Sequence, residues 1–253
     1  MLNWKSVNEV YIYDGSIDGL FTIVFDAYIS KTLPASIYSK NSYLYRFTDN
    51  IVNIETDYTK SERIFKGIEK NISSETLYQT YNAFLSCQEN KEMNILKYIL
   101  HGFVVGPKIN NMLSLDYVLN VQKLYKNVLR EADKFYGILR FIQIQDNLYY
   151  ASIHPDNNII EKLGNHFITR LPTQQFIIHD RNRNIALLYN TNDYCIIDVP
   201  ANFNIPDISK EEQLFQNLWK TFFNTIAIKE RTNPRLQMQY MPKKYWKDLV
   251  EKN

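Results

Sequence analysis

Apolar residues recur along this chain at two spacings, and the change between them marks its parts. Val10-Tyr11-Ile12-Tyr13 is a short apolar run that reads as a strand. Asp14-Gly15-Ser16 turns the chain, with Ser16 or Asp14 placed to cap a helix. Ile17, Leu20, Phe21, Val24, Phe25 and Tyr28 then form a helical stripe. Tyr43, Tyr45 and Phe47, followed by Ile51, Val52 and Ile54, alternate loosely and suit two short strands, or one strand and a loop. From Lys60 to about Phe135 the period is helical. Ile64, Ile68 and Ile72 mark one helix, and Leu77, Tyr78, Tyr81, Phe84 and Leu85 the next. Met93, Leu96, Leu100 and Phe103 mark a third, stopped by Gly106-Pro107. Val118, Val121, Tyr125, Val128, Ala132 and Phe135 mark a long fourth.

The period then becomes two. Ile138 to Ile144 and Leu148 to Ile153 read as a hairpin across Gln145-Asp146-Asn147. A helix is predicted from about Asn158 to Arg170. Phe176 to His179 and Ile185 to Tyr189 form a second hairpin across Arg181-Asn182-Arg183-Asn184, and Tyr194 to Val199 adds a fifth strand. Except around the one helix, the connections are too short for parallel crossovers, so an antiparallel sheet is expected. A Pro/Asn-rich link, Pro200 to Pro206, leads to a last helix. Leu214, Leu218, Phe222 and Ile226 recur every fourth residue there, with Phe215, Trp219 and Phe223 beside them, which predicts a broad buried face. Asn233-Pro234 is expected to stop that helix. The fold class predicted is α+β: a mainly antiparallel sheet from residues 136–199 joined by the N-terminal strand, and a C-terminal helix. The whole, 1–253, is read as one unit with a helical subdomain over 57–135.

Composition narrows the function classes. The 253 residues are 45% hydrophobic and 22% charged, ordinary for a globular protein, and 19 Tyr with 14 Phe imply an aromatic core. A net charge of +2 excludes a global nucleic-acid footprint, so any such binding must be local. Lys229 to Asn253 is locally basic, with seven Lys or Arg against three Asp or Glu. Two distant cysteines, Cys87 and Cys195, rule out a disulfide framework and a four-cysteine zinc site from this chain alone. No signal peptide or long apolar span is present, so a cytoplasmic protein without a membrane partner is expected.

Candidate chemistry is dispersed. Asp14, in a strand–turn–helix junction, is a turn-shaping cap, a general base or a metal ligand. Arg140 stands in the apolar run Gly137-Ile138-Leu139-Arg140-Phe141 and needs a partner or a ligand. His166 shares a helix face with Arg170, and His179-Asp180-Arg181 opens a turn. Asp14, Arg140, His166 and His179 are therefore the catalytic candidates, while Arg140 and Asp180 also suit structural ion pairing. His101 is expected to be packed. There is no nucleophile elbow, HExxH or GxGxxG. The tail mixes cations that bind phosphate, amides that pair with base edges and rings that stack, in Arg231, Asn233, Arg235, Gln237, Lys243, Lys244, Tyr245 and Trp246. It also suits a tail docked on its own core.

Arg231-Thr232-Asn233-Pro234-Arg235-Leu236-Gln237 and Met241-Pro242-Lys243-Lys244-Tyr245-Trp246 resemble a bacterial family of proteins assigned to DNA metabolism. So do Tyr13-Asp14-Gly15-Ser16-Ile17-Asp18-Gly19-Leu20, the 137–141 run, His166-Phe167, Arg170-Leu171-Pro172 and Ile178-His179-Asp180. The resemblance spans nearly the whole chain. It implies a neighbouring radical-SAM protein and relatives fused to uracil-DNA-glycosylase-like domains. The cluster-binding CxxxCxxC is absent here, so an iron–sulfur cluster and SAM are expected only in the partner and no cofactor in this chain. His154-Pro155-Asp156-Asn157 resembles the His-Pro tetrapeptide of those glycosylases, but the Gly/Asp/Pro/Tyr water-activating loop is missing, and glycosylase activity is not assigned. Where the family often has histidines, this chain has Asp133 and Asn157. The resulting expectation is a DNA-repair accessory protein that binds DNA and works with a radical-SAM partner. The alternatives are a nucleotide- or DNA-processing enzyme and a protein-interaction subunit.

Overall fold

The computed structural model describes residues 4–47, 49–200, 203, 210–226, 231 and 233–252. The fold is α+β, and the chain divides into two compact units, residues 1–129 and 130–253. The first begins with β1 (Lys5–Ser6), β2 (Val10–Tyr13), α1 (Ile17–Ser30), β3 (Thr32–Leu33), β4 (Ser36–Ser39) and β5 (Ile51–Asn53). The helices α2 (Tyr58–Asn71), α3 (Ser74–Phe84) and α4 (Lys91–Val105) follow, then a 3₁₀ turn over Gly106–Asn111. The helix α5 (Asp116–Ile138) carries the chain across the boundary between the units.

The N-terminal strand does not join the later meander, as the sequence led us to expect. β2 is the centre of its own three-stranded parallel sheet, with β4 on one side and β5 on the other. The turn into α1 is built as its residues suggest. Ser16 Oγ accepts from Gly19 N at 2.9 Å, capping a helix whose Leu20, Ile23 and Val24 are buried. Isoleucines of α2 (Ile64, Ile68), Ile95, Leu96 and Ile99 of α4, and Val118 and Val121 of α5 complete that core. Gly106 ends α4 with φ 68°, a conformation that a side chain would disfavour. The loosely alternating Tyr43, Tyr45 and Phe47 lie in the loop between β4 and β5.

The second unit holds β6 (Ile142–Gln145), β7 (Leu148–Ile153), α6 (Ile160–Arg170), β8 (Gln175–Asp180), β9 (Ile185–Tyr189) and β10 (Tyr194–Asp198). The strand order is β10-β9-β8-β7-β6. All pairs are antiparallel except β7 with β8, which run parallel with α6 as the crossover between them. Asn147 and Asn184, at φ 57° and 53°, turn the two hairpins, as short polar side chains permit. Gly164 of α6 lies against Leu187 of β9, where a Cβ would come within 2.2 Å of a methyl group, so the helix seats closely on that face. The first strand begins later than predicted, because α5 continues to Ile138 and Leu139 N still donates to Phe135 O at 3.0 Å.

Past the meander come α7 (Lys210–Thr225), α8 (Pro234–Tyr240), and 3₁₀ turns over Lys243–Asp248 and Val250–Lys252. The predicted link at 200–206 lies outside the described residues apart from Pro200 and Phe203, as does 227–230. Two predictions about this region are corrected. The apolar face of α7 is not buried: Leu214, Phe215, Leu218, Phe222 and Ile226 are exposed. Helical periodicity specifies a face that favours apolar company, not what covers it. Asn233-Pro234 starts α8 rather than stopping α7, with Asn233 Oδ1 accepting from Leu236 N at 3.0 Å and proline in the first turn.

Candidate functional site

The four catalytic candidates are divided between the two units. Asp14 belongs to the first unit, and its carboxylate is occupied by the turn it shapes. It accepts from Ser16 N (2.9 Å), Ser16 Oγ (2.7 Å) and Thr56 Oγ1 (2.8 Å). Partial burial raises its pKa, but these hydrogen bonds and the Lys40 charge outweigh burial and hold the carboxyl below its usual range. Arg140, His166 and His179 lie in the second unit, and no described hydrogen bond or ring contact joins them to one another. Arg140 spans Glu251, with Nη2 at 2.6 Å from Oε1 and Nε at 3.4 Å from Oε2, and Nη1 donates to Gly137 O at 3.0 Å. His166 stacks on Tyr136, with centroids 4.2 Å apart. Asp180 is ion-paired as expected of a structural carboxylate, but to Arg183 at 2.9 Å and not to Arg140. His101 is packed, with Nδ1 against the Tyr117 hydroxyl.

His179 alone sits in a wider polar cluster. The register of β7 and β8 pairs Ser152 with His179 and Tyr150 with Ile177. Side chains alternate across a strand, so Tyr150, Ser152 and His154 point to the same face as His179 and Arg181. The opposite face, with Ala151, Ile153, Ile178 and Leu187, is buried, and it is there that α6 seats. The cluster stands where β7 and β8 both end, at the carboxyl ends of a parallel pair around a crossover helix, a place where α/β folds often bind ligands.

The cluster has two joined pairs. The Tyr150 hydroxyl lies 2.7 Å from His179 Nδ1, and His154 Nδ1 lies 3.0 Å from both Asp248 carboxylate oxygens. His179 is 2% exposed and its Nε2 meets no partner among the described residues. Burial, then the Arg181 charge, then His154 lower its pKa, so the ring is held neutral. Burial raises the Tyr150 hydroxyl, with Arg181 opposing. Arg181 donates from Nη1 to Phe203 O at 3.2 Å.

The tail supplies this site more than it flanks it. Tyr245 is 3% exposed, packs edge-on against Phe135 and donates to Glu131. Glu131 also accepts from Asp156 N and Asn157 N, each at 2.8 Å, and from Asn157 Nδ2 at 2.6 Å. One buried carboxylate thus fixes both the His154–Asn157 loop and the 243–248 turn. Lys244 pairs with Asp156, and the turn ends by delivering Asp248 to His154. Trp246 is half-buried, its Nε1 donating to Met241 O at 2.9 Å. Of the predicted nucleic-acid contacts, Tyr245 is therefore a core residue with no free ring face, Asn233 a helix cap, Lys244 an ion-pair member and Gln237 half-buried. Arg231, Arg235 and Lys243 are exposed, and none of the three makes an ion pair among the described residues. Sequence reasoning missed Tyr150 and Asp248, and named His154 and Arg181 only within motifs and not as site residues. The two-residue spacing of Tyr150-x-Ser152-x-His154 and His179-x-Arg181 carries the signal for all but Asp248.

Among the described residues no group of three or more His, Cys, Asp or Glu is placed to hold a metal ion, and no helix is long and apolar enough to cross a membrane. No curated protein matches the chain. A family description does, over residues 89–251, which take in α4, α5 and all the elements of the second unit up to the turn holding Glu251. The chain belongs to the domain family of unknown function DUF4130, and the cluster of Tyr150, His154, His179, Arg181 and Asp248 lies inside the matched region.

Proposed function

We propose that this is a nucleic-acid-associated protein of DNA metabolism that acts beside a radical-SAM partner. The observation that carries the nucleic-acid part is the set of exposed cations Arg231, Arg235 and Lys243, on the segment whose 243–248 turn also completes the polar cluster through Asp248. Such cations neutralise phosphates without needing a basic protein overall. The sequence resemblance supports the DNA-metabolism setting and the partner. The test is fluorescence anisotropy with single- and double-stranded DNA over a range of salt, for wild type, Arg235→Ala and Lys243→Ala. Affinity that falls steeply with salt, with each variant reducing the slope by about one, is expected. No binding at low salt sinks the reading and leaves a protein-interaction subunit, for which the exposed apolar face of α7 is the available surface.

A second reading, a DNA- or nucleotide-processing enzyme, is favoured by one observation. Asp248 holds His154 by Nδ1, which orients the ring and leaves Nε2 without a described partner, as a general base requires. Incubation of labelled oligonucleotides and nucleotides with wild type and His154→Ala decides it. A product formed by the wild type and lost in the variant supports an enzyme.

A further inference from the structure

We propose that the apolar face of α7 is the contact surface of a two-fold dimer, its occupant the same face of a second copy of this chain. The inference uses this helix alone and rests on neither reading above.

α7 is fastened by one side and bare on another. Glu212 Oε2 accepts from Gln143 N at 3.1 Å, and its Oε1 accepts from Gln216 Nε2 at 3.0 Å. Trp219 Nε1 donates to Glu251 Oε2 at 3.1 Å, and Lys252 Nζ stands 5.5 Å from the centre of the Phe223 ring. Positions 212, 216, 219 and 223 are three or four apart, so they share one side of the helix. Their contacts fix which way the helix is turned. Leu214, Phe215, Leu218, Phe222 and Ile226 share another side, and each is between 52% and 65% exposed. Ile226 belongs to that stripe because its N–H still bonds Phe222 O at 3.0 Å.

The area suits a dimer. Five large side chains exposed to that degree leave about 500 Å² of apolar surface on one helix, near the top of what a monomer carries in a single patch. Two such faces pressed together remove about 1,000 Å² from water, and Gln213, Asn217 and Trp219 at the margins bring the total to the roughly 1,200 Å² at which specific interfaces begin. An interface of that size supports association in the micromolar range.

Charge selects the second copy. A two-fold contact sets a surface against itself, so any charge on it meets its like. Between positions 213 and 226 the only charged residue is Lys220. It is half-buried and lies four positions past Gln216, on the fastened side. The margin of the stripe offers Gln213 and Asn217, both exposed. An amide donates and accepts, so its own copy can satisfy it. A face without charge gives a different partner little to steer by, yet meets no repulsion from itself.

Analytical ultracentrifugation of the full-length protein, from about 1 to about 200 µM, tests this. A monomer–dimer equilibrium that stops at two chains is expected. Leu218→Glu and Phe222→Glu should each weaken it about tenfold or more. Both positions are exposed, so both variants should keep the wild-type circular dichroism and urea midpoint. Phe65→Glu, at an exposed phenylalanine of α2 in the first unit, should leave the dimer unchanged. A wild type that stays monomeric throughout overturns the proposal and leaves the face to a different protein. Growth beyond two chains overturns it as well, as does a dimer that Leu218→Glu and Phe222→Glu form as readily as the wild type.

Discussion

The two units each contain a polar network centred on a tyrosine, and the networks end differently. In the first unit the Tyr98 hydroxyl lies 2.7 Å from Gln79 Oε1 and 2.6 Å from Asn110 Oδ1. Gln122 Nε2 donates to the same Gln79 oxygen at 2.9 Å, Gln79 Nε2 donates to Glu75 at 2.8 Å, and Thr76 donates to Asn110 at 2.9 Å. Every group named there meets another. In the second unit Tyr150 binds His179, whose outer nitrogen meets nothing among the described residues. A closed network ties α3 to its neighbours, and the buried Thr80 Oγ1 and Asn82 Oδ1 of that helix, which meet no partner among the described residues, lie outside it. The one at the ends of two strands leaves a buried ring nitrogen unpaired among the described residues.

Substitutions can break or sharpen that contrast. The largest effect is expected at Glu131, the carboxylate that anchors both the 154–157 loop and the 243–248 turn. Glu131→Ala strands four donors and should cost about 3–5 kcal/mol, as breaking a buried charged network does. Urea unfolding followed by tryptophan fluorescence reads this out, since Trp219 and Trp246 both lie in the second unit. A loss below about 1 kcal/mol would mean the tail does not clasp the loop as described. Next is Gln79→Leu, which removes the hub of the closed network and leaves Gln122 short of an acceptor, while Tyr98 keeps Asn110. It should cost about 2–3 kcal/mol, measured by thermal or urea unfolding of the first unit.

Acid should expose the open network. His179 has a pKa lowered from 6.5 by burial, then by the charges of Arg181 and His154. The unfolded chain therefore takes up the proton first. Its contribution is fully present above about pH 6.5 and is lost as pH falls through the lowered folded value, with a slope of at most about 1.4 kcal/mol per pH unit. His101, lowered mainly by burial, contributes with the same sign in the first unit. Unfolding at pH 7.5, 6.5 and 5.5 should show a pH slope in the second unit that His179→Phe reduces. The smallest effect is that of His179→Phe itself at neutral pH, about 1 kcal/mol, because the Tyr150 bond it removes is partly offset by the loss of a ring nitrogen that is already unpaired. If it costs as much as Gln79→Leu, the two networks are equivalent and the contrast fails.

Much of the local structure was legible. The Asp14-Gly15-Ser16 turn, the cap at Ser16, the stop at Gly106 and the two hairpins follow from turn chemistry and period, which involve residues within a few positions of each other. The sheet that β2 joins was not legible, since a four-residue apolar run fits either one and pairing depends on contacts far along the chain. The site was half legible. His179 was named from residue type, but its partner Tyr150 lies 29 positions away, and Asp248 lies 94 positions from His154. Tyr245 and Lys244 were read as ligand contacts because aromatic and basic types suit nucleic acid, whereas Tyr245 is core and Lys244 holds Asp156.

By itself, the order of residues determined where α1 to α6 and the meander strands form, to within a few residues, and that the fold would be α+β. It also set the alternation that sends Tyr150, His154, His179 and Arg181 to one face once their strands are paired. The tertiary structure alone decided that β7 and β8 run parallel, that the tail folds back to bring Asp248 to His154, and that the apolar stripe of α7 stays exposed. The reason is one of range. Periodicity and capping act within a turn or a strand, while convergence depends on loop closure and on which competing surface buries best, and neither is written in any short stretch.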